Sequence, residues 1–383
     1  MRDKNFFWGT ATASYQVEGG IDNCDWALAA KAGKEPVCGK ADDHYNRYQA
    51  DFDLAKQIGT NAHRFSIEWS RIEPQEGVFD EKEIEHYRQV IQALHTRGME
   101  PFVTLWHFTL PAWFSKSGGF ARRDSAYIFA RYCEYVISKL GGEAHFWMTM
   151  NEPLVWLGGG HWKGEWPPFY RRSFVKTVKG LFALIRAHKM AYTQMKRVAP
   201  HIEVGIAKHN VCFESNRNPF NKIQAVIARW GFNHFFLKCI KGHQDFIGLN
   251  HYISKRFGLS SSFPKTEMGW DVYPDAFYKV LMELKRYNLP VYVTENGLAD
   301  SKDILRAGYL RGYISSLMRA KKEGLDVRGY FYWSLLDNYE WAFGFTRRFG
   351  LIEVDYETLE RTVRPSARTY TEIINSYSGD FQS

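Results

Sequence analysis

The sequence predicts a closed (β/α)8 TIM barrel, and three observations carry that expectation. Eight short hydrophobic, β-branched or aromatic runs recur along the 383 residues. Longer stretches with helical periodicity separate them, the pattern of parallel strands joined by crossover helices. Polar and aromatic residues gather near the carboxyl ends of the candidate strands, where Arg64, His107, Asn151, Glu152, Asn250, Tyr252, Glu295 and Trp333 all fall. Barrel enzymes build their sites at that end, and core packing alone gives no reason for charged and amide residues to collect there.

Taken in order, the first strand is read over the aromatic-rich run 7–16 and is followed by a helix-like segment at 43–58. The second, 62–67, precedes a helix at 81–97, and the third, 100–106, precedes one at 125–140. The fourth, 146–151, is followed by the long periodic stretch 173–197. Strands five and six are read at 204–208 and 245–252, and the seventh, 291–295, leads into a helix at 303–322. The eighth, 327–334, is followed by a last helix at 366–376. No internal repeat beyond this alternation and no linker divides the chain, so residues 1–383 are read as one domain.

Composition narrows the class further. With 45% hydrophobic and 24% charged residues the chain can bury a large core, and it has no disordered or low-complexity tract. The net charge of +8 comes with basic pairs such as Arg122-Arg123 and Arg171-Arg172 scattered along the sequence. That scatter reads as a solvated surface rather than a recognition stripe, and no nucleic-acid partner is expected. The five cysteines, Cys24, Cys38, Cys133, Cys212 and Cys239, form no CxxC pair and no even framework. Reduced thiols in a cytoplasmic protein are expected, without a disulfide scaffold or zinc site. The first residues, Met1-Arg2-Asp3-Lys4-Asn5, run into Phe6-Phe7-Trp8 without a signal-peptide core, and no apolar run reaches the length of a membrane span. No membrane partner is expected.

Two glutamates end β-rich runs, Glu152 in Thr149-Met150-Asn151-Glu152-Pro153 and Glu295 in Val293-Thr294-Glu295-Asn296-Gly297. Cleaving a glycosidic bond needs two carboxyl groups: one protonates the leaving oxygen, and the other, ionised, supports or attacks the anomeric carbon. Like-charge repulsion and partial burial then raise the pKa of the acid. Other motifs return little. Gly158-Gly159-Gly160 followed by Gly164 lacks the dinucleotide-binding spacing, and there is no P-loop or H-E-x-x-H. The proposed chemistry requires no metal and no cofactor.

Five motifs in order resemble glycoside hydrolase family 1, the β-glucosidase family, over nearly the whole length. They are Phe7 to Gly20, Arg64-Phe65-Ser66-Ile67, Asn151-Glu152-Pro153, Thr294-Glu295-Asn296-Gly297 and Trp333 to Trp341, which reads WSLLDNYEW. The resemblance implies a retaining double displacement with Glu295 as nucleophile and Glu152 as acid and then base. It implies that Arg64 and Tyr252, with Asn250 nearby, flank the nucleophile and keep it ionised and oriented. For Arg64, a buried structural ion pair is the plainer alternative. Gln16, His107, Asn151, Glu340 and Trp341 match the family's sugar-binding positions, and Trp333 and Phe349 match its apolar floor and wall. Asn151 would meet the 2-hydroxyl, and Tyr252 also belongs to the substrate-binding set. An isolated His107 would read as a core histidine, but its place after the third strand reverses that. Trp270 resembles the tryptophan on the aglycone side, with a core tryptophan as its alternative.

Glu340 separates this chain from branches that act on 6-phosphorylated sugars, since a carboxylate there repels a phosphate. The implied substrate is a small-molecule β-glycoside or short oligosaccharide, with glucoside first and galactoside or fucoside close behind. Phe108 stands where the family usually has Trp, and His251 where it usually has Tyr. The chain is also short between strands five and six and between Tyr252 and Glu295, which predicts a more open pocket. Two alternatives stay open at this level, an endo-acting barrel glycosidase and a non-catalytic carbohydrate-binding barrel. The oligomeric state is not legible.

Overall fold

In the computed structural model, which describes residues 6–379, eight parallel strands close into a barrel. They are Phe7–Ala11, Ala62–Ser66, Glu100–Thr104, Phe146–Asn151, Glu203–His209, Phe246–Asn250, Val291–Asn296 and Val327–Trp333. Each pairs with its neighbours in this order, and the eighth closes on the first with Phe7 opposite Gly329. The stretch Met1-Arg2-Asp3-Lys4-Asn5, read above for a leader, lies outside the described residues. No helix among the described residues is long and apolar enough to cross a membrane.

Strand periodicity sends alternate side chains inward and outward. The inward set, including Phe102, Phe146, Phe246, Tyr292 and Phe331, forms a compact aromatic plug. Phe102 and Phe146 stack with centroids 4.3 Å apart, and Phe331 lies 4.6 Å from Phe102. Small residues make room for these rings. A Cβ on Gly9 would come within 2.4 Å of the Phe331 ring, and one on Gly205 within 2.6 Å of Phe246. The barrel is therefore filled below by these rings, and open space lies at the carboxyl ends of the strands. Outside, each helix lays an apolar stripe on the strands. In Ser125–Leu140 the buried Phe129, Tyr132, Val136 and Leu140 recur at the three-to-four spacing of one helix face.

Several strand ends differ from the sequence expectation, and the reason is common to them. The run 7–16 is extended only over Phe7–Ala11, and Ser14–Val17 forms a single helical turn. The turn is held by the Ser14 N–H donating to Ser66 Oγ (2.8 Å) and the Val17 N–H donating to the Ala13 carbonyl (3.2 Å). The third and sixth strands stop at Thr104 and Asn250 rather than at 106 and 252, and the eighth stops at Trp333. Apolar character continues past the rim because rim side chains are themselves packed. Trp106, for example, lies 4.9 Å from Phe120 and 5.4 Å from Trp156. Conversely, the fifth and seventh strands extend through polar residues to His209 and Asn296.

The helices fall at His44–Gln57, Glu81–Thr96, Ser125–Leu140, Phe174–Val198, Arg306–Lys322 and Pro365–Gly379, close to expectation. Asp25–Lys31, Pro219–Arg229 and Pro274–Leu284 were not singled out from sequence, although the last two open on a proline in the first turn. Two short ladders decorate the barrel, Cys212–Ser215 beside Ser254–Phe257 and Ile352–Val354 beside Arg361–Val363. All five cysteines are free thiols, four of them buried.

Candidate active site

The fourth strand ends at Asn151, and Glu152 follows with φ 42° and ψ 57° before Pro153 opens the next helix. That left-handed conformation is uncommon for a residue with a side chain. Its N–H donates to the Ala207 carbonyl (2.8 Å), which ties the turn to the fifth strand. Register shifts accompany both glutamates, between Met148 and Asn151 on the fourth strand and where Glu295 pairs with Asn250. Such irregularities re-aim side chains at a barrel rim.

The two glutamates line one cavity of about 450 Å³ at the carboxyl ends of the strands. Gln16, His107, Asn151, Tyr252, Trp270, Trp333, Glu340, Trp341 and Phe349 line it with them. The structure thus brings eleven of the thirteen sequence-named residues to one surface. The other two, Arg64 and Asn250, are buried and reach the carboxylates from behind the wall.

Glu295 is held on both oxygens. Arg64 Nη1 donates to Oε1, and the Tyr252 hydroxyl donates to Oε2 at 2.8 Å. Arg64 is itself fixed, with Nη2 donating to Asn151 Oδ1 (2.8 Å) and Nε to Thr104 Oγ1 (3.1 Å). The plain reading of Arg64 as a buried ion pair and its reading as a support for the carboxylate therefore describe the same contact. Removing one partner of such a pair costs about 3–5 kcal/mol because it strands a buried charge.

Glu152 has different company. Asn250 Nδ2 donates to its Oε1 at 2.8 Å, with Asn250 held in turn by the Thr294 hydroxyl (2.7 Å). Burial first and the Glu295 carboxylate second push the Glu152 carboxyl up to about 8. The Asn250 bond and the nearby cations Lys208 and Arg64 pull the other way without winning. Two carboxyl groups of the same type are thus placed in unlike surroundings.

The opposite wall is polar. Asn151 Oδ1 accepts from both Arg64 and Asn250, so its amide nitrogen must point the other way, and it donates to His107 Nε2 (3.1 Å). His107 Nδ1 then carries its proton with no protein partner, in a ring that burial keeps neutral. The ring lies nearly parallel to Trp333 and Trp341, at 6.0 and 6.1 Å. Gln16 donates to Asn338 Oδ1 (2.9 Å), the Tyr339 carbonyl (2.8 Å) and Glu340 Oε2 (3.4 Å), while its own oxygen is buried without a partner. Unmatched donors and acceptors in a pocket wall are positions for ligand hydroxyls. Trp270 sits 5.4 Å from Tyr252 and 6.2 Å from Phe349, so it belongs to the pocket edge rather than to the core.

Some pocket residues were missed from sequence. His209, at the end of the fifth strand, places Nδ1 3.6 Å from Glu152 Oε1 and stacks on Tyr252. Lys208 beside it is buried, and its ammonium is brought down to about 7 by desolvation, with Glu152 opposing. The run Lys208-His209-Asn210 at a strand end was the available signal. Trp166 was missed too. Gly159 makes its place, since a Cβ there would come within 2.7 Å of the Trp166 ring. Of the two departures, Phe108 lines the pocket, 5.1 Å from Trp341. His251 does not; it bonds the Asn210 carbonyl (2.9 Å) and stacks on Phe277. Among the described residues no group of three His, Cys, Asp or Glu side chains could hold a metal ion.

A filled parallel barrel with a carboxylate pair at its carboxyl mouth, walled by aromatic rings and unmatched polar atoms, defines a barrel glycosidase. The sequence matches glycosyl hydrolase family 1 over residues 2–240 and 216–378, and the chain belongs to that family. It is a retaining β-glycosidase. β-Glucosidase A of Thermotoga maritima is 33% identical, with 97% of each chain covered. A β-galactosidase of Sulfolobus acidocaldarius is 31% identical, covering 97% of this chain and 95% of its own. The solved β-glycosidase from Pyrococcus horikoshii superposes with a TM-score of 0.91 at 38% identity, over 98% of this chain and 95% of its own. The match to the Thermotoga enzyme runs over 435 residues, against the 383 of this chain, in keeping with the shortening read from sequence.

Proposed function

We propose that the protein is an exo-acting enzyme that releases a terminal, non-phosphorylated β-D-glucose unit from small glycosides or short oligosaccharides. β-Galactosides and β-fucosides are the next substrates in order. The observation that carries the reading is the unlike treatment of two carboxyl groups in one pocket: Glu295 bound by a guanidinium and a phenol, Glu152 buried with its carboxyl pushed up to about 8. In the first step a Glu295 oxygen bonds the anomeric carbon as the glycosidic C–O bond breaks, and the Glu152 proton goes to the leaving oxygen. Esterification removes the Glu295 charge, so Glu152 then holds the anion and accepts a proton from water. The water oxygen bonds the anomeric carbon, and the ester bond breaks.

Asn151, His107, Gln16 and Glu340 supply hydrogen bonds to sugar hydroxyls, and Trp333, Trp341 and Phe349 supply apolar surface. Glu340 is also pushed up to about 8, by burial and then by Glu295. The names β-glucosidase and β-galactosidase among the relatives support the sugar order. Trp270 faces the aglycone. Residues 1–383 act as one domain, and the free thiols support a cytoplasmic location.

The test is release of nitrophenol from a panel of nitrophenyl β-D-glycosides by wild type, Glu152→Gln and Glu295→Gln, with azide as a second nucleophile. Turnover by wild type, loss in both variants and azide rescue of Glu152→Gln alone are expected. A wild type silent on the whole panel would return the reading to a non-catalytic barrel. Internal cutting of a cello-oligosaccharide would replace exo by endo action.

A further inference from the structure

Lys and Arg are spread along the whole chain, but two segments carry them with no acidic residue between. Residues 166–202 hold eight Lys or Arg and no Asp or Glu, and residues 215–244 hold five and none. Because the whole chain is only +8, everything outside these two segments is net acidic. The segments contain two helices on the outside of the barrel, Phe174–Val198 and Pro219–Arg229.

The same helices carry an unusual apolar exposure. Phe220, Ile223, Ile227 and Trp230 recur at spacings of three and four, which sets them on one face, and each is at least 50% exposed. Phe182 on the neighbouring helix is 55% exposed. The half-buried Phe235 joins the two, with its ring 5.4 Å from Trp230 and 6.3 Å from Phe182. A contiguous aromatic and aliphatic patch of this kind marks an interaction surface. Some of the basic residues are engaged elsewhere: Arg229 faces Glu283, Arg197 pairs with Glu134 and Lys196 with Asp245. Lys179, Lys222 and Lys238 remain exposed on the two segments.

We infer that the face formed by helices Phe174–Val198 and Pro219–Arg229 seats the enzyme on an anionic lipid bilayer surface. Charge complementarity selects this occupant. An apolar stripe flanked by lysines and free of carboxylates is the pattern of an interfacial helix, with rings among the acyl chains and ammonium groups at the headgroups. A second copy of the same face would set the exposed Lys179, Lys222 and Lys238 against their own copies, with no Asp or Glu in either segment to pair them. This goes beyond the expectation of no membrane partner, which rested on the lack of a spanning segment, and it is independent of the sugar the pocket takes.

The test is co-sedimentation of the full chain with vesicles of phosphatidylcholine alone and with about 30% phosphatidylglycerol, at low and high salt. Wild type should bind the anionic vesicles, leave the neutral ones in solution, and lose about tenfold in affinity at high salt. The variants Phe220→Ser/Ile227→Ser/Trp230→Ser and Lys179→Glu/Lys222→Glu should each weaken binding about tenfold or more while retaining nitrophenyl glucoside turnover. The single Ile227→Ser stands in if the triple variant fails to fold. Absence of wild-type binding to anionic vesicles, or binding that both variants leave unchanged, overturns the inference. So does a salt-resistant dimer in sedimentation equilibrium that the apolar variant dissociates, because the occupant is then a second copy.

Discussion

The pKa of Glu152 should follow the charge on Glu295, and the size of the effect can be worked out. In retaining sites the two carboxyl groups sit roughly 5–5.5 Å apart, and at an effective dielectric constant of about 20 their repulsion is about 3 kcal/mol, or roughly 2 pH units. Arg64 lies against Glu295 and offsets part of that field. Replacing Glu295 by Gln, or trapping it as a glycosyl ester with a 2-deoxy-2-fluoro-β-glucoside, should therefore lower the Glu152 midpoint by about 1–2 pH units. The midpoint should start near the value of about 8 set by burial and Glu295 together, and should stay above the ordinary 4.5 because burial persists. Activity cannot report this in the Gln variant, and Lys208 titrates near 7 in the same window. The assay is therefore the carboxyl carbon resonance of labelled glutamate, assigned by its disappearance in Glu152→Gln. A midpoint that ignores both perturbations would show that burial alone sets the acid. A fall to the free carboxylate value would show that burial contributes nothing, and either result breaks the reasoning.

Three further outcomes are expected. Between the ordinary 4.5 and about 8 the folded state holds the Glu340 proton that the unfolded chain has released, so this residue makes stability fall as pH rises through that window. Glu340→Gln should then match wild type in thermal melting near pH 4 and exceed it near pH 9, by at most about 4–5 kcal/mol; equal melting at alkaline pH would refute the burial argument. Tyr252→Phe removes the 2.8 Å hydrogen bond to Glu295 Oε2. Loss of a bond to a charged group, about 1.5–3 kcal/mol, should lower kcat/KM by roughly 10- to 100-fold, and an unchanged value would separate the tyrosine from the nucleophile. The shortened segments after the fifth strand and after Tyr252 should leave the aglycone side open. Rates on short and long β-glucosides are then comparable, and sharp rejection of anything beyond a disaccharide would sink that expectation.

Much of the fold was legible because a barrel repeats one local pattern. Eight apolar runs at strand length, alternating with periodic helical stretches, are visible without knowing any contact, and all eight strands stand where the runs are. The errors lie at the rim. There the run 7–16 continues as apolar sequence while the chain turns at Ser14–Val17, and local hydrophobicity cannot distinguish a strand from packed rim. The carboxylates were legible for a chemical reason, since glycoside cleavage demands that residue type at strand ends, and Glu152 and Glu295 share one pocket.

What the sequence determined by itself, then, was the barrel, its family and the two glutamates at strand ends, because these rest on period and residue type. Only the tertiary structure decided their surroundings. It set His209 and Lys208 beside Glu152, turned His251 away from the pocket while leaving Phe108 in it, and joined two basic segments into one apolar-striped face. Burial and Coulomb energy depend on distances between residues far apart in the chain, and those distances exist only once the barrel has closed.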